Sequence, residues 1–350
     1  MNTSIDTKCV EYIESLTHKY NTTMENSINY CDIILKHKKS VVLSRSDCNT
    51  TVAIGKKTYA SPVCCSNMKS VLTSDICKIF DDKKWFYVYH RIDGVQDVEN
   101  FVIRANGVAT SNCANEKWHS ISISIGVGKE WMDLVDKLSS LGLKVDSFTI
   151  DVALSYNENV VPTIKKVKDK FPNSYLVVGN GSIPEWIGWL EDLGVNCAKV
   201  GIGVSKACRT RQYTGFGSTS VTSLMECVSA AKYINIMSDG GLTVDSLGEV
   251  WIGDINKALS IGADFVMTGA AFSRCSDSPS ATNGYYGNAS SYAKKYNKHV
   301  EGAKFSVDTN GQTISQTCDL ILDSIKSGIS YAGGNDLTAF RSVEWTVCKS

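Results

Sequence analysis

Eight short runs rich in apolar and β-branched residues punctuate this chain, and each runs into glycine, asparagine, aspartate or histidine. They are TYASPVCCSN (from residue 58), WFYVYH (85), SISISIG (120), SFTIDVA (147), SYLVVGN (174), CAKVGIG (197), YINIMSDG (233) and DFVMTGA (264). Segments with helical periodicity separate them, such as KEWMDLVDKLSSLG and NVVPTIKKVKDKF. Strand followed by helix, repeated, predicts parallel βαβ units. Eight such units within 350 residues favour closure into a single-domain α/β fold, the (β/α)8 or TIM barrel, over an open doubly wound sheet. The barrel is expected over 58–350, with 1–57 as an N-terminal extension packed on its bottom or extending a subunit contact. No proline- or glycine-rich linker marks a second domain.

Lysine plus arginine and aspartate plus glutamate both number 36, so the net charge is zero. That balance carries no footprint for nucleic acid. No apolar stretch approaches the roughly 18 residues of a membrane span. The opening residues MNTSIDTKCVEYIES lack the basic start and apolar centre of a signal peptide. The 13 cysteines are scattered, without paired Cys-x-x-Cys spacing for zinc. An odd number without an export signal is expected as reduced thiols in a cytoplasmic, reducing compartment.

Two connections are long, from Gly203 to about Ser218 and from about Ala271 to Gln312, and both leave strand C-termini, where barrel enzymes keep their chemistry. The first holds KVGIGVSKACRTRQYTGFG (199–217). Cys208 stands beside Arg209, with Lys206 and Arg211 within three residues, and nearby positive charge favours the nucleophilic thiolate. Thr210 is close enough to relay a proton. The same composition also fits a basic surface loop with an inert cysteine.

This loop resembles the active-site cysteine loop of the IMP dehydrogenase/GMP reductase family, without a gap. The resemblance continues through LSRSD (43–47), SNMKSV (66–71), IDVA (150–153), VGNGSIPE (178–185), MSDGG (237–241), GADFVM (262–267) and YYGNAS (285–290). The family fold is the same barrel. There is no room between the second and third strands for the regulatory modules that IMP dehydrogenases usually carry, and the late flap lacks their water-activating arginine–tyrosine pair. HVEGAKFSV (299–307) instead resembles the GMP reductase segment bearing a catalytic glutamate, here Glu301, so that branch is the closer match.

The resemblance implies that Cys208 adds to C2 of the purine of GMP and that Thr210 and Glu301 assist loss of ammonia. Hydride from NADPH then gives IMP. It implies that Asp239 binds the ribose hydroxyls, that Lys206, Gly240, Gly241, Gly269, Tyr286 and Gly287 hold phosphate, and that Asn288, Ala289 and Ser290 line the base. Asp151 and Asn180 would face cofactor or purine. Carbonyls of Gly203, Ser205 and Cys208 would hold potassium, and the assembly would be a homotetramer. Read from the residues alone, Asp239 also fits a helix N-cap and Glu301 a solvated carboxylate.

The chain departs from the family pattern in several places. Ser205 and Lys206 stand where glycine and serine are usual, and Arg209 replaces a small polar residue. Ala270 replaces a second phosphate-binding glycine, and Lys69 stands where aspartate is common. The segment before Glu301 is shorter, and about seven extra residues follow SDGG on a rough alignment. These departures keep two alternatives in view: a related oxidoreductase (IMP oxidation, or a different or modified purine), and a nucleotide-binding protein without turnover. A flavin-dependent barrel would have no use for the cysteine loop.

Overall fold

The computed structural model describes residues 27–108, 117–294 and 300–348. The first 26 residues of the expected extension, its opening segment included, and His299 of the flap segment lie outside them. Seven strands form one parallel sheet: β1 (Val63–Cys65), β2 (Ser122–Ile125), β3 (Ser147–Asp151), β4 (Tyr175–Gly181), β5 (Cys197–Val200), β6 (Asn235–Asp239) and β7 (Phe265–Thr268). Their order is β1-β7-β6-β5-β4-β3-β2. Residues 85–90 close the ring through single parallel bridges, Tyr87 to Cys65 of β1 and Tyr89 to Ile123 of β2. The result is an α/β barrel of the TIM type.

One long helix follows each strand position: α1 (Ser74–Asp82), α2 (Val95–Ala105), α3 (Lys129–Ser140), α4 (Val161–Lys170), α5 (Pro184–Asp192), α6 (Ser220–Ala230), α7 (Gly253–Ile261) and α8 (Ile314–Tyr331). Their sequences explain their ends and faces. In α3, Trp131, Leu134, Val135 and Leu138 are the buried residues, spaced as one apolar stripe of a 3.6-residue helix. Helix α8 starts at a reciprocal cap between Thr313 and Gln316, which satisfies backbone donors that helix geometry leaves unpaired. Among the described residues no helix is long and apolar enough to cross a membrane.

Side-chain alternation divides the barrel interior into layers. The lower layer is apolar and includes Cys64, Val177, Cys197, Met237 and Met267. Two residues further along their strands, on the same inward face, stand Gly179 after Val177, Lys199 after Cys197 and Asp239 after Met237. The register places Gly179 opposite both Asp151 and Lys199, and Lys199 opposite Met237. The mouth of the barrel is therefore polar above an apolar floor.

The segment from residue 58 is not one strand. Lys57–Tyr59 pairs antiparallel with Val52–Ile54, and Ile54 and Tyr59 join the apolar floor from below. The barrel strand starts only at Val63, past Pro62, which has no N–H to donate to a ladder. Ile33–Leu35 pairs antiparallel with Trp345–Val347 near the other end of the chain. The long late connection also has structure. It holds a ribbon of Tyr285–Tyr286 with Lys304–Phe305 and short helices at Ala270–Ser273, Ser280–Asn283 and Ser291–Lys294.

Candidate active site

A cavity of about 1040 Å³ opens at the C-terminal ends of the strands. The cysteine loop leaves β5 on one side of it, and the late connection folds over from the other. Backbone bonds lock the two together. Arg209 N–H donates to the Glu301 carbonyl at 2.6 Å and Ala303 N–H to the Ala207 carbonyl at 2.9 Å, while within the late connection Glu301 N–H donates to the Ala289 carbonyl at 3.0 Å. Two glycines permit this approach. A Cβ on Gly302 would lie 2.5 Å from the Ser290 nitrogen, and one on Gly287 would lie 2.8 Å from the Ala207 oxygen.

This interlock joins groups 91 residues apart. Cys208 Sγ lies 3.1 Å from Thr210 Oγ1, and Thr210 Oγ1 donates to Glu301 Oε2 at 2.8 Å. All three are half-buried and line the cavity. The arrangement is a nucleophile, a hydroxyl that can pass a proton, and a carboxylate that can take or give it. Among the basic neighbours Arg211 turns back to the Ser218 carbonyl, packing against Gly203 and Gly217, and Lys206, Arg209 and Arg211 are all exposed residues.

A second cluster fills the mouth, centred on a residue that the sequence reading did not single out. Lys199 Nζ donates to Asn180 Oδ1 at 2.5 Å and to Asp239 Oδ2 at 2.6 Å, and lies 3.3 Å from Asp151 Oδ1. Asn180 Nδ2 donates to Asp239 Oδ2 at 2.9 Å. Arg91 Nε donates to the Asp151 carbonyl at 2.9 Å. The Lys199 side chain is only 3% exposed. Burial pushes its ammonium down, but Asp239 and Asp151 outweigh burial and hold it above its ordinary value. Burial likewise pushes the Asp151 carboxyl up, while Lys199 and Arg91 overcome it and hold the group below its ordinary value. Gly179 makes room for the lysine, since a Cβ there would sit 2.6 Å from Lys199 Cβ. The signal that could have found Lys199 is an ionisable residue at an inward position of a buried parallel strand.

Asp151, Asn180, Gly203, Ser205, Lys206, Asp239, Gly240, Gly241, Gly269, Gly287, Asn288 and Ala289 all line the cavity, with the Cys208 relay. Tyr286 and Ser290 do not. Neighbouring residues of a ribbon point to opposite faces, so Tyr285 faces the cavity and Tyr286 lies with its ring tilted against Tyr292 at 6.3 Å. The Tyr285 hydroxyl lies where a Cβ on Gly269 would come within 2.8 Å. Ser290 is buried, and its Oγ accepts the Ala293 N–H at 3.2 Å.

Asn288 Nδ2 donates to the Asn67 carbonyl at 2.9 Å. Asn288 Oδ1 is buried without a hydrogen-bond partner, and the Asn67 side-chain amide stands by Asp151, helping to hold that carboxyl low. Buried polar atoms cost free energy unless they are hydrogen-bonded. A ligand edge carrying a donor supplies what Asn288 Oδ1 lacks.

Residues 27–348 match the family model described as IMP dehydrogenase / GMP reductase domain. The chain is 34% identical over 343 residues to a protein named GMP reductase from Oceanobacillus iheyensis, spanning 93% of this chain and 97% of that one. It is 34% identical over 332 residues to a GMP reductase from Helicobacter pylori, spanning 92% and 96%. A GMP reductase from Staphylococcus epidermidis is 33% identical over 332 residues, with the same coverage.

Proposed function

Because this chain belongs to the IMP dehydrogenase/GMP reductase family, we propose that it acts as a GMP reductase, converting GMP to IMP and ammonia with NADPH as reductant. The observation that carries this reading is the contact chain Cys208–Thr210–Glu301 at the cavity. An IMP dehydrogenase needs a group that activates water in the flap. Here the flap instead delivers a carboxylate to the threonine beside the nucleophile.

In this reading the Cys208 thiolate forms a bond to C2 of the purine. The exocyclic amine takes a proton delivered through Thr210 from Glu301 and leaves as ammonia, so the sulfur remains bound to C2. NADPH, when bound, supplies the hydride that reduces C2, and the C–S bond then breaks to return the thiolate. Asp239 holds the ribose hydroxyls. The Gly240–Gly241 turn and Gly269 bring backbone close to phosphate, and Asn288 reads the base edge. The cavity exceeds the size of an ordinary small-ligand pocket, which fits a nucleotide together with a nicotinamide. Arg91, Asp151 and Asn180 would border the cofactor. The carbonyls of Gly203, Ser205 and Cys208 would offer oxygen donors of the kind a hard cation such as potassium takes, with the Ser205 carbonyl also accepting the Cys208 N–H at 3.1 Å. The reading extends to a cytoplasmic homotetramer, and every described cysteine being a free thiol suits that reducing compartment.

The test is purified protein with GMP and NADPH. Loss of reduced-nicotinamide absorbance with equimolar ammonia supports the reading. Absorbance gained with IMP and NAD replaces it with the dehydrogenase reaction. Nucleotide binding without either signal replaces it with a binding protein. Thr210→Val, which keeps shape and removes the hydroxyl, is expected to lower kcat about a hundredfold, as loss of a proton relay does. Its KM for GMP should stay within about threefold of the parent value, and a steady-state comparison of the two proteins measures both.

A further inference from the structure

The residues that follow Gly241 form a hairpin with its own internal bonds. Val244 and Val250 bridge antiparallel, and Trp251 N–H donates to the Thr243 carbonyl at 2.9 Å. The Asp245 carboxylate accepts the N–H groups of Leu247 and Glu249, both at 2.9 Å. Its root is tied to the buried Asp254, which accepts the Thr243 N–H at 2.8 Å. Val244, Leu247, Gly248 and Val250 line the cavity beside the Gly240–Gly241 turn.

The tip reaches an arginine. Arg274 is the C-cap of the short helix Ala270–Ser273, on the other side of the phosphate turn, and it lines the same cavity with its side chain 16% exposed. Its Nη1 contacts Glu249 Oε1 at 2.7 Å and its Nε donates to the Asp308 carbonyl at 2.9 Å. Neither contact uses Nη2. Arg91 and Lys199, two other cations at the cavity, are engaged with Asp151 and Asp239, and Lys206 is exposed. The phosphate turn is also short of one glycine, since Ala270 follows Gly269.

We propose that Arg274 binds the terminal phosphate of the substrate and that the 243–251 hairpin, through Glu249, fixes its guanidinium and closes the site against a second phosphate. The inference rests on a purine nucleotide occupying this cavity and adds which end is read and how long it can be. A planar guanidinium pinned at two points presents its remaining edge in fixed geometry to phosphate oxygens. A β-phosphate would extend toward the hairpin wall and the Glu249 carboxylate, where like charge repels it. The clamp therefore selects nucleoside monophosphates over diphosphates.

The test measures affinities of the whole protein for GMP, GDP and guanosine by calorimetry. Arg274→Ala should weaken GMP binding roughly ten- to a hundredfold, the scale of a hydrogen bond to a charged group, and leave guanosine within about twofold. Arg274→Lys, which keeps the charge and loses the fork, should fall between. Glu249→Gln should raise GDP affinity relative to GMP by about threefold or more. An Arg274→Ala protein that loses GMP and guanosine equally, or loses neither, overturns the clamp. An unchanged GDP-to-GMP ratio in Glu249→Gln overturns the part given to the hairpin. The same series with IMP and XMP separates the clamp from the guanine reading. A phosphate-dependent loss for those nucleotides, with no GMP binding in the parent protein, keeps Arg274 and removes guanine.

Discussion

Replacing Cys208 by alanine is expected to lower turnover at least about a thousandfold, because the reaction then has no covalent route. The fold should not follow it down. Cys208 is half-buried in a loop, and its contact is the 3.1 Å approach to Thr210 Oγ1 rather than a place in the apolar floor. Its N–H still donates to the Ser205 carbonyl in the variant, so the turn that presents residue 208 is kept. Melting within about 2 °C of the parent, with GMP affinity retained, isolates the loss to chemistry. Single-turnover assays with GMP and NADPH measure the first quantity, and thermal unfolding with calorimetry measures the others. Retained turnover would remove the nucleophile from the account.

The second large effect belongs to Lys199. Lys199→Met keeps the length of the side chain and deletes the cation that Asp239, Asp151 and Asn180 share. Breaking a buried charge cluster by removing one partner costs about 3–5 kcal/mol. In a chain of this length that is a fall in melting temperature on the order of 5 °C. Activity should fall as well, because Asp239 loses the contact that aims it at the cavity.

The pH dependence follows from the shifts. Lys199 is raised above its unfolded value near 10.5, so its contribution is fully present below that pH and is lost as pH climbs through the higher folded value. Asp151 is held below its unfolded value of 3.8. Its contribution is present above that pH and disappears as pH falls through the lower folded value. In Lys199→Met only Arg91 and the Asn67 hydrogen bond remain to oppose burial of Asp151, so its carboxyl is pushed up toward protonation. The stability gap to the parent should therefore be widest near neutral pH and narrow toward pH 4. Thermal unfolding across that range reads it, and a gap that stays constant contradicts the charge argument.

The barrel was legible because each strand is a short apolar, β-branched run and the segments between carry a period of 3.6, and the two alternate through the chain. Residues 85–90 show where that reading is coarse. The apolar run is real and closes the ring, yet only Tyr87 and Tyr89 make ladder bridges. The Cys208 loop was legible as chemistry, but its link to Glu301 was not a matter of spacing. Family resemblance pointed to Glu301, and the Gly302 and Gly287 approaches make the contact.

Lys199 was missed because its strand reads as an apolar run around one charge, and the inward phase was not counted outward from Cys197. Tyr285, which that reading did not name, is the ribbon residue that lines the cavity, and a two-residue strand carries too short a pattern to tell its faces apart. The added length after SDGG was visible, but nothing local ties Glu249 to Arg274 across 25 residues. That contact exists only because two loops leave adjacent strands, β6 and β7, at the same end of the barrel.

The central claim is that the sulfur of Cys208 bonds to C2 of a bound purine nucleotide. The direct measurement is mass spectrometry of protein quenched during turnover with GMP and limiting NADPH. The account predicts that the peptide carrying Cys208 gains the mass of GMP less ammonia, and that the gain is absent from Cys208→Ala and lost on adding excess NADPH. Steady conversion of GMP with that peptide unmodified, or an adduct on another cysteine, would contradict it.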